Sequence, residues 1–213
     1  MNHWFRRLRG GRRENASMNT SSCHMESGFC RFLAVFDFDL TLTTFHVWGR
    51  YRNTPLEEIP MEKSVFVDLE AFRYFVHEAR NRDAKIAIAT FGRRDVVNKA
   101  LCFVLGEEHG IVISTPADHF DPRFEFADEE DRPRCVEGTD VLGDKNTQLD
   151  YLCQYFQVPK SLVFLADDDA DNVAAARQFG IFAQHTPDGA HKAILDSLLA
   201  RIPPIPLNKQ VQK

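Results

Sequence analysis

Two aspartates one residue apart, Asp37 and Asp39, follow the apolar run Phe32–Phe36 and precede Thr41 and Thr43. In an extended chain, residues i and i+2 project from the same face, so both carboxylates leave the end of a buried strand together. At close range such a pair repels by roughly 4 kcal/mol at an intermediate dielectric. It persists only with a shared proton or a cation, and can then serve as nucleophile, proton donor or metal ligand. A plain strand-end turn is the weaker reading, because an aspartate between Phe36 and Phe38 is costly without a purpose. A second acidic group, Asp167, Asp168, Asp169 and Asp171 with Asn172, follows the apolar run Leu162–Ala166. Thr90 ends the apolar run Ile86–Ala89, and Lys145 opens a helical stretch.

These side chains need a scaffold that delivers them to one place. Val65, Leu69, Phe72, Val76 and Ala79 share one stripe at helical spacing, which predicts an amphipathic helix over 64–80 with Ser64 as its cap. Asp95 can cap a helix running to Leu105 and closing at Gly106. A short strand over 111–114, a helix over 146–157, a strand over 162–166, a helix over 171–179, a strand over 181–184 and a helix over 190–200 complete the pattern. Such alternation predicts an α/β fold with a parallel sheet and helices on both faces. Open sheets of this kind place ligands at the carboxyl ends of their strands, where all the residues above would fall.

The run Phe36-Asp37-Phe38-Asp39-Leu40-Thr41-Leu42-Thr43 resembles the first motif of the haloacid-dehalogenase-like (HAD) phosphohydrolases. Ile86–Thr90 resembles the second motif, Gly143-Asp144-Lys145-Asn146 the third, and Phe164–Asn172 the fourth. Four motifs in order, over roughly residues 32–200, make the resemblance specific. It implies a Rossmann-like sheet with a small or absent cap and an Mg2+-dependent phosphatase working through an aspartyl phosphate. On that resemblance Asp37 is the nucleophile and Asp39 the general acid and base. Mg2+ would be held by Asp37, the Asp39 main-chain carbonyl and Asp168, with Asp167 as a further ligand or support and Asn172 supporting Asp168. Thr90 and Lys145 would bind the phosphate. Lys85 and Lys160 compete with Lys145 for the lysine role, and Asp169 and Asp171 read as helix N-terminal acids.

Substrate choice would lie in two insertions. The stretch 44–63 reads equally as a short flap or as a packed irregular loop; its Trp48 and Arg50 are candidate substrate contacts, and Trp48 or Tyr51 would stack on a phenyl ring or a base alike. The stretch 115–144 carries Phe120–Phe124 and the acidic run Asp128–Asp131, which reads as a solvated face. So little inserted sequence predicts an open site, and because open-site members of the resembled family often act on phosphorylated macromolecules, the resemblance implies a phosphoprotein substrate, phosphotyrosine or phosphoserine. Small-molecule and nucleotide phosphates are the alternative, and a noncatalytic binding module on the same scaffold is a third reading.

Across 213 residues, 44% are hydrophobic and the net charge is −5, enough for one core and without the basic excess of a nucleic-acid binder. No apolar run reaches membrane-spanning length. Five scattered cysteines, Cys23, Cys30, Cys102, Cys135 and Cys153, form no CxxC pair and read as reduced thiols of a cytoplasmic protein. Three segments are expected: a basic extension over 1–28, a catalytic domain over 29–201 and a Pro-rich tail over 202–213. Arg6, Arg7, Arg9, Arg12 and Arg13 make organellar import an alternative for the first segment. His109 and His119 read as surface or loop residues. The oligomeric state is open.

Overall fold

Phe32–Phe36 forms β1, buried along its whole length, as an uninterrupted apolar strand must be when both its faces are covered. The computed structural model describes residues 31–119 and 144–205. The strands are β1, β2 (Ala84–Ala89), β3 (Val112–Ser114), β4 (Val163–Asp167) and β5 (Phe182–His185). They pair in parallel in the order β3-β2-β1-β4-β5. The acidic strand β1 is therefore central, with β2 and β4 as neighbours, and Phe36 stands opposite both Ile88 and Ala166.

Alternate residues build two cores. Phe32, Ala34, Phe36, Ile86, Ile88 and Phe164 face α2 (Leu69–Asn81), α3 (Arg94–Leu105) and α6 (Lys192–Arg201). Leu33, Val35, Ala87, Ala89 and Leu165 face α4 (Lys145–Phe156) and α5 (Ala170–Gln178). The first core centres on Phe36, whose ring meets Phe72, Phe75 and Phe164 edge-on at 5.6, 5.2 and 5.9 Å, the geometry aromatic quadrupoles favour. Among the described residues, no helix is long and apolar enough to cross a membrane.

Several boundaries differ from expectation for local reasons. α2 begins at Leu69, not Ser64, because Lys63–Val65 forms a separate 3-10 turn and the chain around it is tied to the segment after β1: Thr44 N–H donates to Val65 O and Val67 N–H to Leu42 O. Its cap is Asp68, whose Oδ1 accepts from Ala71 N–H at 3.1 Å, while Oδ2 accepts from Lys192 N–H at 3.2 Å. Asp95 lies inside the first turn of α3 and pairs with Arg93, which holds the cap position without a side-chain cap bond. Gly106 ends that helix at φ +92°, a left-handed value glycine adopts freely. His109 lies in the loop between α3 and β3 and is buried there; its ring bonds Asn98 and accepts from Ile111 N–H. Ile202, expected in a free tail, is buried, and its carbonyl accepts from Arg82.

The stretch 44–63 folds as a short helix, α1 (Val47–Tyr51), and a 3-10 turn (Leu56–Glu58). It is fastened to α3 from below: Arg93 donates to the carbonyls of Tyr51 and Thr54, and Lys99 to those of Leu56 and Ile59. Cys102 and Cys153 are free thiols in α3 and α4. The basic extension, Cys23, Cys30 and Cys135, Phe120–Phe124, the acidic run Asp128–Asp131 and the tail beyond residue 205 lie outside the described residues.

Candidate active site

The carboxyl rim of the sheet collects side chains from three strands and one helix start. Asp37 follows β1 directly, its N–H donating to Ala166 O at 2.8 Å, which anchors it between β1 and β4. Asp144 caps α4 by accepting from Thr147 N–H, so that the helix opens with Lys145 pointing into the rim. Lys145 is almost wholly buried; its Nζ donates to Asp37 Oδ1 at 2.7 Å and to Ala89 O at 2.7 Å, and lies 3.3 Å from Asp167 Oδ2. Lys85 is exposed on β2 and Lys160 stacks over Phe179, so neither reaches this place.

Burial shapes the protonation of the group. It raises the Asp37 carboxyl to about 7, with the Lys145 ammonium opposing and Asp167 adding to the rise. Burial also disfavours the charge on Lys145, but Asp37 and Asp167 more than offset it, and its pKa stands above the ordinary lysine value. Asp168 is raised by burial and by Asp167.

Asp39 is held by the start of α1. Its Oδ1 accepts from Val47 N–H at 3.0 Å and its Oδ2 from Trp48 N–H at 3.1 Å, and His46 Nδ1 stands 3.0 Å from Oδ2. The same Nδ1 accepts from Gly49 N–H when unprotonated, so it donates to Asp39 only when protonated. Burial raises the Asp39 carboxyl; His46 and the two amides oppose that rise. Leu40, next in sequence, has a left-handed φ of +60°, so the chain turns sharply as it leaves Asp39.

Asp167 and Asp168 divide differently from expectation. Asp167 is fully engaged: Asn172 Nδ2 donates to both its oxygens at 3.2 and 3.3 Å, and Asp169 N–H to Oδ1. Asn172 therefore supports Asp167, not Asp168, because a helix capped by Asp169 at its N-terminus turns this side chain back under the strand end. Asp168 is instead bracketed by Thr41, which accepts from Asp168 N–H at 2.9 Å and donates to its Oδ1 at 3.3 Å. His185 at the end of β5 contacts the Asp168 carbonyl at 2.8 Å. Asp169 and Asp171 occupy the cap and first turn of α5.

Thr90 is buried beside Ala89, with Oγ1 accepting from Gly92 N–H at 3.0 Å. Gln148, one turn into α4, donates to the carbonyls of Thr90 and Ser114, tying this loop to the helix that carries Lys145. Arg50 lies over the rings of Phe45 and Tyr51 and does not join the cluster, whereas Trp48 does, through its backbone contact to Asp39. Nothing local in the sequence marks His46, Gln148 or His185 as site residues; Thr41 carries a signal through its place in the first motif.

The residues that would hold Mg2+, Asp37 and Asp168 with the Asp39 carbonyl, offer oxygen donors alone, from the chain just after β1 and β4. Among the described residues, no group of three or more His, Cys, Asp or Glu side chains is placed so that it could hold a metal ion. Mg2+ does not need one, because it keeps several waters and uses one or two carboxylates plus substrate phosphate. Carboxyls raised by burial and mutual repulsion are what such a cation would relieve, so the residues fit it.

No family model matches the sequence, and no curated protein does so significantly. Solved structures do match the fold. The N-terminal part of a Bacteroides fragilis protein containing a phosphatase domain, complexed with Mg, superposes with a TM-score of 0.54 at 12% identity. That match covers 83% of this chain and 41% of the other, so the chain spans less than half of that relative's length. The HAD domain of an effector protein from Legionella pneumophila aligns at a TM-score of 0.44 and 14% identity, over 73% of this chain and 85% of that one. With its central acidic strand, five parallel strands and layered helices, the chain shares the α/β fold of that phosphatase-domain structure.

Proposed function

We propose that the protein is an Mg2+-dependent phosphomonoester hydrolase that works through an aspartyl phosphate on Asp37. The observation that carries this reading is the 2.7 Å contact between Asp37 and a buried Lys145, with Asp39 clasped two residues further on. A nucleophile and a proton donor are thereby held apart, each in its own hydrogen-bond environment.

In the first half-reaction the Asp37 carboxylate attacks phosphorus, and the bond to the ester oxygen breaks. Asp39, whose raised pKa favours the protonated form, gives its proton to the departing oxygen. In the second half-reaction water attacks the phosphorus of the acyl phosphate; Asp39, now ionised, takes its proton, and Asp37 is released with inorganic phosphate. Lys145 and the Thr90 hydroxyl bind phosphate oxygens as charge shifts between them. Asp37, Asp168 and the Asp39 carbonyl would hold Mg2+, which when bound neutralises the charge that phosphate brings to the carboxylates.

The substrate reading is a phosphorylated protein side chain. The insertion after β1 is pinned by Arg93 and Lys99, and among the described residues no separate domain closes over the rim. Such a mouth admits a phosphorylated residue on a larger surface.

The test is phosphate release from p-nitrophenyl phosphate by wild type, Asp37→Asn and Asp39→Asn, with Mg2+ and with chelator. Turnover that needs the cation and disappears in Asp37→Asn is expected. Turnover that persists in Asp37→Asn would overturn the assignment of the nucleophile.

A further inference from the structure

Phe91, which follows Thr90 directly, is an exposed aromatic residue at the most chemically active edge of the molecule. Its ring centroid lies 4.9 Å from Lys145 Nζ, the atom that touches Asp37. The ring is 37% exposed, so one face is open to a ligand. Across Gly92 stands Trp48. A Cβ placed at Gly92 would fall 3.2 Å from Thr90 Oγ1 and 3.8 Å from Trp48 Cβ, so Gly92 sits tightly against the Thr90 hydroxyl and within ordinary contact range of Trp48. The outer partner of Trp48 is Arg52, its guanidinium 5.3 Å from the ring centre. Tyr51, by contrast, is turned against Phe45 at 6.1 Å, away from this edge.

On the reading that this is a phosphohydrolase, we infer that Trp48 and Phe91 form an aromatic wall for the leaving group and that the substrate is an aryl phosphate, a phosphotyrosine side chain. The argument is one of depth. Phe91 stands beside the ammonium that contacts the nucleophile, so its partner must be a group adjacent to phosphorus. A phenol ring is bonded to the ester oxygen itself and lies at that depth. A nucleobase is separated from phosphorus by a ribose and would pass beyond the wall. The aliphatic carbons of phosphoserine offer no π-face for either ring.

The experiment compares kcat/KM on a phosphotyrosine peptide, the same peptide with phosphoserine, and a nucleoside monophosphate, in wild type, Phe91→Ala, Phe91→Leu and Trp48→Ala. Vanadate inhibition reports on the phosphate site independently. Loss of either ring is expected to lower kcat/KM for phosphotyrosine about three- to tenfold more than for phosphoserine, and Phe91→Leu to keep vanadate affinity. Phe91→Leu keeps the bulk and serves if Phe91→Ala does not fold; it is expected to lose the same preference. Equal losses on phosphotyrosine and phosphoserine, or a loss confined to the nucleotide, would sink the aryl assignment alone. Absence of turnover on every ester, with Asp37→Asn indistinguishable from wild type, would sink the hydrolase reading as well.

Discussion

Lys145 and Asp37 are 108 residues apart in sequence and meet at 2.7 Å beneath the carboxyl rim of the sheet. The ammonium is shared with Asp167 and the Ala89 carbonyl, so one cation neutralises two buried carboxylates and fixes the end of β2. Buried pairs of this kind are expensive to break, because the remaining charges lose both water and partner.

Lys145→Met is therefore expected to fail in two ways. Activity on p-nitrophenyl phosphate should fall about 10²- to 10³-fold, the cost of removing a preorganised charge from a transfer site. Stability should fall by about 3–5 kcal/mol near neutral pH and by less in acid, where Asp37 is protonated. Urea unfolding at pH 5 and pH 8 reads the difference; an equal loss at both values would show that charge is not the cause.

The raised carboxyl of Asp37 makes a second prediction for the protein in chelator. A group whose pKa rises on folding, here from 3.8 to about 7, stabilises the folded state below the unfolded value. That contribution disappears as pH climbs through the folded value. Stability should decline between about pH 4 and pH 7, in the same sense as the raised Asp39 and Asp168. Asp37→Asn should flatten the decline, and Mg2+ should shrink it by favouring the ionised form. Stability that rises steadily over this interval, in chelator and in both proteins, would contradict the assignment.

Asp68 offers a prediction remote from the chemistry. One carboxylate serves the starts of both α2 and α6, through Ala71 N–H and Lys192 N–H. Asp68→Ala should cost about 2 kcal/mol, the upper end for losing a helix cap, with kcat unchanged. Thermal unfolding and steady-state rates together check this. Ser64→Ala, which removes the cap expected from sequence, should cost much less, because the Ser64 hydroxyl bonds the exposed Glu62 side chain and caps no helix.

The elements that could be read from the chain are those whose signal is local. Alternating apolar strands and helical stripes announce a layered α/β fold, since burial on both faces requires continuous apolar strands. Asp37, Asp39, Thr90, Lys145 and Asp168 stand out because strand ends and helix starts mark them within a few residues. Their assembly at one rim follows from parallel strands sharing a carboxyl edge.

Tertiary structure alone decided the partners. Nothing in its neighbourhood says that Asn172 turns to Asp167 and leaves Asp168 to Thr41, since either acid is within reach of a helix starting at Ala170. The five-residue helix at Val47 is too short to be stable by its own propensity, and exists because Asp39 receives its first amides. Asp68 replaces Ser64 as a cap because a distant β-like contact with Leu42 delays the helix. Phe91 reads as an ordinary aromatic after a strand; that its ring stands 4.9 Å from Lys145 depends on a helix start far along the chain. Local sequence sets which backbone forms and which residues carry charge, whereas the direction in which a buried polar group finds its partner depends on packing between segments far apart in the chain.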